Sequence, residues 1–219
     1  MPRMHKPPVF IIMTKAPVCG GVKTRLAKEI GAVAATALTR VLAASLLREF
    51  ARDPRFRTVL AITPDRALKA PFAAWSAAKA ERVAQGRGGL GERMQRIFDR
   101  CGQGPLIIVG TDIPFITREM IAAAFRKLRG ADAVFGRAED GGYWLVGLSR
   151  RARRLAPFEN VRWSSPHALA DTVKNLGGRR IAFAATLFDI DAEADFRRYR
   201  SVSRGMISTK LQGRCLASS

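Results

Sequence analysis

An aspartate follows a short apolar run near the middle of the sequence. Residues 105–110 (PLIIVG) are predicted to form a buried strand, and Asp112 lies directly beyond it. In open α/β sheets, ligands bind outside the carboxyl ends of the strands. A carboxylate there can bind Mg²⁺ or Mn²⁺, so the stretch predicts Asp112 as a metal ligand, with Thr111 beside a nucleotide. The alternative is that Asp112 caps the next helix, although Thr117 is the better N-cap for it.

A basic loop containing glycines follows the first predicted strand. Glycines let backbone N–H groups approach phosphate oxygens, and Lys and Arg add full positive charge. The predicted diphosphate-binding residues are Lys15, Gly20, Gly21, Lys23 and Arg25. Of these, Lys23 and Arg25 are also predicted to take part in catalysis. The loop is not of the Walker A type, because Val22 occupies the required glycine position. The alternative is a basic loop that only caps the following helix.

A second glycine-rich stretch, GRGGLG at residues 86–91, lies between a predicted strand and a predicted helix. We expect it to cradle a base and ribose, with an amide from Gln85 at the base edge. The predicted nucleotide-binding residues here are Gln85, Gly86, Gly88 and Gly91. The spacing also matches the dinucleotide fingerprint, with Asp112 about 20 residues on, so an NAD-type enzyme is one alternative. A tight turn without a ligand is the other.

A second acidic stretch, EDGGYW at residues 139–144, carries two aromatic side chains. Asp140 is predicted to be a second metal ligand or a general base for an acceptor hydroxyl. Tyr143 and Trp144 are predicted to line an acceptor pocket, where aromatic rings can stack on a sugar or base. The alternative is an Asp-Gly hairpin turn with its aromatic residues in the core.

Two further aspartates, Asp189 and Asp191, follow the last predicted strand. They could reach a metal, or Asp191 could cap the helix that starts near Glu193, and the sequence leaves both interpretations open. The only histidines, His5 and His167, stand in no Cys/His cluster, which argues against a zinc site or a Ser-His-Asp triad.

Predicted strands and helices alternate along the chain, the pattern of a mostly parallel sheet with helices on both faces. The predicted strands are residues 9–14, 56–63, 81–85, 105–110, 131–136, 141–148 and 180–189. The predicted helices are residues 24–52 divided at Gly31, 67–79, 92–100, 117–128, 165–176 and 193–200. Right-handed crossovers put the loops after successive strands at one edge, so the basic loop, the glycine loop and the acidic stretches should converge. The predicted fold class is an α/β, three-layer α/β/α sandwich.

Composition sets the domain organisation. The 219 residues are 47% hydrophobic, enough for one domain with its own core, which we expect at residues 9–200. A flexible N-terminus at 1–8 and a mobile tail at 201–219 should flank it. The net charge of +20 is widely spread, so we expect background basicity rather than a dedicated nucleic-acid site. The lack of a long apolar run and of paired cysteines predicts a cytoplasmic protein without a membrane span, and leaves the oligomeric state open.

Four ordered motifs together resemble a bacterial family of poorly characterised GT-A-type glycosyltransferases in the nucleotide-diphospho-sugar transferase superfamily. They are KAPVCGGVKTRL at 15–26, QGRGGLGERM at 85–94, IVGTDIP at 108–114 and DGGYWLVGL at 140–148. The resemblance implies a Rossmann-like fold, a nucleotide or nucleotide-sugar ligand, and Mg²⁺ or Mn²⁺ held by Asp112. One departure is Gly89, where the family usually has an acidic residue.

Two reactions fit the resemblance. The first hypothesis is metal-dependent glycosyl transfer from a nucleotide-sugar to an acceptor. The superfamily also contains nucleotidyltransferases, and Lys15 with Lys23–Leu26 is similar to the N-terminal loop of phospholactate guanylyltransferases. The alternative is therefore transfer from a nucleoside triphosphate to a phosphorylated substrate, with pyrophosphate released. A third hypothesis is a non-catalytic basic binder of nucleotides or nucleic acid.

Overall fold

The computed structural model describes residues 7–72, 75, 80–101 and 104–216, with the backbone alone for 206–216. Its strands are β1 Val9–Lys15, β2 Arg57–Thr63, β3 Glu81–Ala84, β4 Leu106–Gly110, β5 Ala133–Ala138, β6 Tyr143–Leu148 and β7 Ile181–Leu187. Its helices are α1 Thr24–Ile30, α2 Ala32–Phe50, α3 Leu90–Arg100, α4 Arg118–Gly130, α5 Arg150–Arg153, α6 Ala168–Asn175 and α7 Glu193–Leu216. A 3₁₀ turn spans Asp65–Ala67.

The described strands form one seven-stranded sheet in the order β3-β2-β1-β4-β6-β5-β7. Only β6 runs antiparallel to its neighbours, β4 and β5. The other pairs are parallel, as β1 shows beside β2 and β4. An antiparallel strand begins where its parallel neighbours end, so the start of β6 lies at the same edge as the ends of β1 and β4.

Alternate residues of the strands pack on opposite faces of the sheet. In β1, Phe10 and Ile12 join a buried cluster that includes side chains from α2 and α4. Val9 and Ile11 join a second cluster on the other face, with side chains from α3 and α6. The predicted α/β/α sandwich is therefore confirmed, and its buried central strands hold the loops at their ends in place.

Most predicted elements are present, and the differences are local. Gly31 separates the first two helices as predicted, with a backbone φ of 87°. The helix predicted at 165–176 begins only at Ala168, because the Ser165 hydroxyl makes a turn by accepting from the backbone N–H of His167. The helix predicted at 67–79 is wrong over its first half, where a 3₁₀ turn at Asp65–Ala67 is followed by residues without regular structure up to Phe72. Residues 73, 74 and 76–79 lie outside the described part of the chain.

The final helix is longer than predicted. It begins at Glu193 as expected but continues to Leu216, so residues 201–216 follow a helical path and not the aperiodic one expected from their composition. The mobility of this segment stays a prediction. Among the described residues, no helix combines the length and the apolar character needed to cross a membrane.

Candidate functional site

A cavity of about 700 Å³ opens at the edge of the sheet where β1 and β4 end and β6 begins. Most of the predicted site residues line it, and these are Lys15, Gly21, Lys23, Arg25, Gln85, Thr111, Asp112, Asp140, Tyr143 and Trp144. The lining carries four Lys or Arg and four Asp side chains, a balance that differs sharply from the net charge of +20 of the whole chain. The expected convergence of the basic loop and the acidic stretches at one edge of the sheet is thus present.

Three aspartates form the acidic side of the cavity. One carboxylate oxygen each from Asp112, Asp189 and Asp191 lies within 4.8 Å of the others. The backbone explains the meeting, because the N–H of Ile190 donates to the carbonyl of Asp112 at 3.2 Å and ties the segment after β7 to the segment after β4. Gly110 leaves room for this arrangement, since a β-carbon there would lie 2.5 Å from Asp112 Oδ1.

The environment of Asp189 is unfavourable for a negative charge. Burial raises its pKa from 3.8 to about 6, and the charges of Asp191, Asp112 and Asp140 add to the effect. Oxygen ligands crowded in this way are what Mg²⁺ and Mn²⁺ prefer, and ligands across one Mg²⁺ are about 4 Å apart. The donor set therefore fits a divalent cation.

This cluster differs from the predicted metal pair. The sequence paired Asp112 with Asp140 and left Asp189 and Asp191 undecided, whereas the structure gathers Asp112 with those two. Asp140 lines the same cavity but sits in the exposed turn between β5 and β6. Its Oδ1 accepts from the N–H of Gly142 at 2.9 Å. The hairpin-turn alternative thus describes its local structure, and its predicted chemical roles remain open.

Lys23 lies against the acidic cluster. Its backbone is left-handed, with φ 45° and ψ 50°, at the start of α1. Its ammonium group donates to the carbonyl of Ile190 and lies 3.4 Å from Asp191 Oδ1. The side chain is only 8% exposed. The predicted phosphate-binding lysine is therefore paired with the end of the β7 segment in this structure.

The remaining cations of the lining come from β1, α1 and α3. Lys15 and Arg25 are exposed, one at the end of β1 and one in the first turn of α1. Arg93 of α3 joins them, held by hydrogen bonds to the carbonyl of Gly88 at 2.8 Å and to Thr63 Oγ1 at 3.3 Å. Sequence reasoning missed Arg93, although its place in the first turn after a glycine loop at a strand end was the available signal.

Gln85 and the glycine loop make contacts that stabilise the local structure of the protein itself. The side-chain nitrogen of Gln85 donates to the carbonyls of Thr14 and Ala61, so both amide hydrogens are used within the protein. Gly91 lets α3 approach the backbone of Phe158, since a β-carbon there would lie 2.7 Å from its carbonyl oxygen. In the described part of the chain, four predicted glycines lie outside the cavity lining: Gly20, Gly86, Gly88 and Gly91.

Aromatic side chains close the β6 side of the cavity. Trp144 is 4% exposed and donates its indole N–H to the carbonyl of Ala185 at 2.9 Å. The Tyr143 hydroxyl lies 3.4 Å from Thr172 Oγ1, and burial raises the pKa of Tyr143 above its ordinary value. Trp163, which sequence reasoning missed, lines the cavity with its ring centroid 6.2 Å from that of Tyr143.

The final helix reaches the turn that carries Asp140. Arg198 of α7 makes two hydrogen bonds to the carboxylate of Glu139, at 2.7 and 3.0 Å. Its guanidinium carbon also lies 4.0 Å from the ring centroid of Phe188, directly before Asp189. One side chain therefore touches the neighbours of two aspartates of the cavity.

Comparison with known proteins gives the family. A family model described as "Uncharacterized protein conserved in bacteria (DUF2064)" matches residues 46–165. The chain belongs to this family. A search of curated proteins found no match.

Solved structures give the fold and the superfamily. A candidate nucleotide-diphospho-sugar transferase from Desulfovibrio desulfuricans G20 is 27% identical, with a TM-score of 0.77 over 84% of this chain and 82% of that one. The 4-diphosphocytidyl-2C-methyl-D-erythritol synthase of Anaerococcus prevotii DSM 20548 is 10% identical, with a TM-score of 0.61 over 91% of this chain and 96% of that one.

A third structure is a manganese complex of a Mycobacterium tuberculosis H37Rv protein, 16% identical, with a TM-score of 0.52 over 88% of this chain and 97% of that one. The two more distant similarities concern the fold alone. All three confirm the expected Rossmann-like α/β fold. The first structure, with the family match, assigns this DUF2064 protein to the nucleotide-diphospho-sugar transferase superfamily of enzymes.

Proposed function

We propose that the protein transfers a glycosyl group from a nucleotide-sugar to a hydroxyl of an acceptor, with Mg²⁺ or Mn²⁺ as cofactor. One observation carries the proposal: a cluster of three carboxylates and a group of Lys and Arg side chains line one cavity at the carboxyl edge of the sheet. That arrangement suits a metal-bound diphosphate, because the carboxylates hold the cation and the basic side chains hold phosphate oxygens.

The nucleotide-sugar would bind on the β1 side of the cavity. Lys15, Arg25 and Arg93 would hold its diphosphate, with Thr111 and Gly21 nearby. Asp112, Asp189 and Asp191 would hold the cation, which when bound stabilises the negative charge of the departing diphosphate. The side-chain carbonyl oxygen of Gln85 would accept a hydrogen bond from the edge of the base. Its side-chain N–H groups already donate within the protein.

Asp140 would act on the acceptor. Its carboxylate would take the proton of the acceptor hydroxyl as the oxygen bonds to the anomeric carbon. The bond from that carbon to the diphosphate oxygen breaks in the same step, and the electron pair leaves with the nucleoside diphosphate. The exposed position of Asp140 at the cavity supports this role better than a metal-ligand role, because the clustered carboxylates are the other three aspartates.

The distribution of charge favours an acceptor without a phosphate group. Among the described lining residues, every Lys and Arg comes from the β1 loop, α1 or α3. The β6 side contributes aromatic rings, small hydroxyl side chains and Asp140. A phosphorylated nucleophile, as the nucleotidyl-transfer alternative requires, would meet a carboxylate there without a cation of its own.

The released product tests the proposal. The protein is incubated with Mn²⁺ and panels of nucleotide-sugars, or of nucleoside triphosphates with phosphorylated substrates, and the products are separated by chromatography. Release of a nucleoside diphosphate from a nucleotide-sugar is the expected result. Release of pyrophosphate from a triphosphate would establish the nucleotidyl-transfer alternative instead. Tight nucleotide binding without either product would support the non-catalytic hypothesis.

A further inference from the structure

The ammonium group of Lys23 occupies the position of a counter-cation at the aspartate cluster. It donates to the carbonyl of Ile190, between the two aspartates of the β7 segment, and lies 3.4 Å from Asp191 Oδ1. We propose that Lys23 neutralises the cluster in the metal-free protein and must leave it when a divalent cation binds. The inference rests on the proposed function and concerns how its site is loaded.

Burial makes this contact more than an incidental surface pair. The Lys23 side chain is 8% exposed, whereas Asp191 is 52% exposed. Exposed ion pairs contribute little to stability because water screens them, but a covered ammonium beside the carboxylate of Asp191 is screened less. The left-handed backbone of Lys23 turns the chain at the start of α1, immediately beside the end of the β7 segment.

The geometry implies competition for the same negative charge. A divalent cation among the three carboxylates would lie close to the ammonium group of Lys23, and the two positive charges would repel each other. Metal binding therefore releases Lys23 from Ile190 and Asp191. The released side chain belongs to the loop that also carries Lys15 and Arg25, so it becomes available to the diphosphate.

The consequence is positive coupling between metal and nucleotide. The cation makes Lys23 available to phosphate, and by linkage the nucleotide must strengthen metal binding by the same factor. Direct contact between the bound metal and the nucleotide would also couple their binding. The mechanism proposed here differs because it predicts that Lys23 weakens metal binding when no nucleotide is present.

Calorimetric titration of the nucleotide-free protein with Mn²⁺ tests whether Lys23 weakens metal binding. For Lys23→Met we expect Mn²⁺ to bind about 10-fold more tightly than in the wild type, because a competing charge is removed. Lys23→Gln keeps a donor for the carbonyl of Ile190 without the charge, and we expect the same increase. The Gln variant provides the measurement of Mn²⁺ affinity if the Met variant does not fold.

Lys15→Met is the matched control, since it removes an exposed lysine of the same cavity. We expect its Mn²⁺ affinity to stay within about twofold of the wild type, as for a screened charge. Unchanged affinity in both Lys23 variants, weaker binding in them, or an equal gain in Lys15→Met would each overturn the inference.

Asp112→Asn separates this inference from the proposed function. If Asp112→Asn abolishes Mn²⁺ binding while the Lys23 variants bind as the wild type does, the metal site stands and the counter-cation role is wrong. If Asp112→Asn binds Mn²⁺ like the wild type, the metal site itself is wrong, and the proposed function loses its cation together with this inference.

Discussion

The two charged sides of the cavity are built differently. The acidic side consists of half-buried or backbone-anchored carboxylates, and the N–H of Ile190 ties Asp112 to the segment that carries the other two aspartates. The basic side consists of long side chains from a loop and from the first turns of helices, and Lys15 and Arg25 are exposed. Rigid strand ends therefore fix a geometry suited to a small ion, whereas flexible side chains adapt to a larger anion.

Replacing a carboxylate of the rigid side should have the largest effect. Asp112→Asn removes a charge from the cluster, and we expect Mn²⁺ affinity to fall at least about 100-fold and transferase activity with it. Isothermal titration with Mn²⁺ measures the first effect. Asp140→Asn is the control, with Mn²⁺ affinity unchanged but activity reduced about 100-fold if it is the base. If both variants lose Mn²⁺ affinity, Asp140 is a metal ligand, as its sequence pattern allowed.

Replacing a cation of the flexible side should have an intermediate effect. Arg25→Met should weaken binding of a nucleoside diphosphate about 10-fold, the usual size for one charged hydrogen bond. Its Mn²⁺ affinity in the absence of nucleotide should not change. Arg93→Met should behave alike, although it also loses its bonds to Gly88 and Thr63. An effect of either variant as large as that of Asp112→Asn would contradict the proposed contrast between the two sides.

The smallest predicted effect is a pH dependence of stability. Because the pKa of Asp189 is raised to about 6 in the folded protein, its folded state favours the protonated carboxyl. Its contribution to stability is therefore full below the unfolded pKa of 3.8 and is lost as the pH rises through about 6. Without metal, the wild type should lose stability relative to Asp189→Asn between pH 4 and pH 7, as measured by urea unfolding.

An aspartate with the opposite shift provides the control. Arg162 lowers the pKa of Asp171 through hydrogen bonds at 2.8 and 2.9 Å, so that carboxylate stabilises the fold above the unfolded pKa and ceases to do so in acid. Relative to Asp171→Asn, the wild type should lose stability as the pH falls. If both variants follow the same trend with pH, the crowding of carboxylates at Asp189 is not what determines it.

The sequence was sufficient to predict the strands of the sheet and the edge of the sheet at which the cavity opens. Apolar runs such as Val9–Met13 marked the buried strands, and the rule that ligands bind at strand ends located Asp112 correctly. The order of the strands was harder to predict. The β5–β6 hairpin inserts β6 between β4 and β5 in antiparallel direction, and this brings the start of β6 to the edge where β4 ends.

The choice between candidate metal ligands depends on a contact between residues distant in sequence. Asp140 and Asp191 follow strands in equally suggestive patterns, and spacing alone does not show which carboxylate meets Asp112. The hydrogen bond between Ile190 and Asp112 makes the choice, and it joins segments that no local pattern relates. The same limit applies to Lys23, whose sequence pattern indicates a phosphate but whose partners here are the carbonyl of Ile190 and the carboxylate of Asp191.

The contact between Arg198 and Glu139 bears on how variants of this protein should be made. Arg198 stands early in a helix that runs to Leu216, and it touches residues beside both Asp140 and Asp189. A shortened chain that stops before Arg198 would thus lose contacts at the cavity edge of the sheet even though it keeps all four aspartates of the cavity.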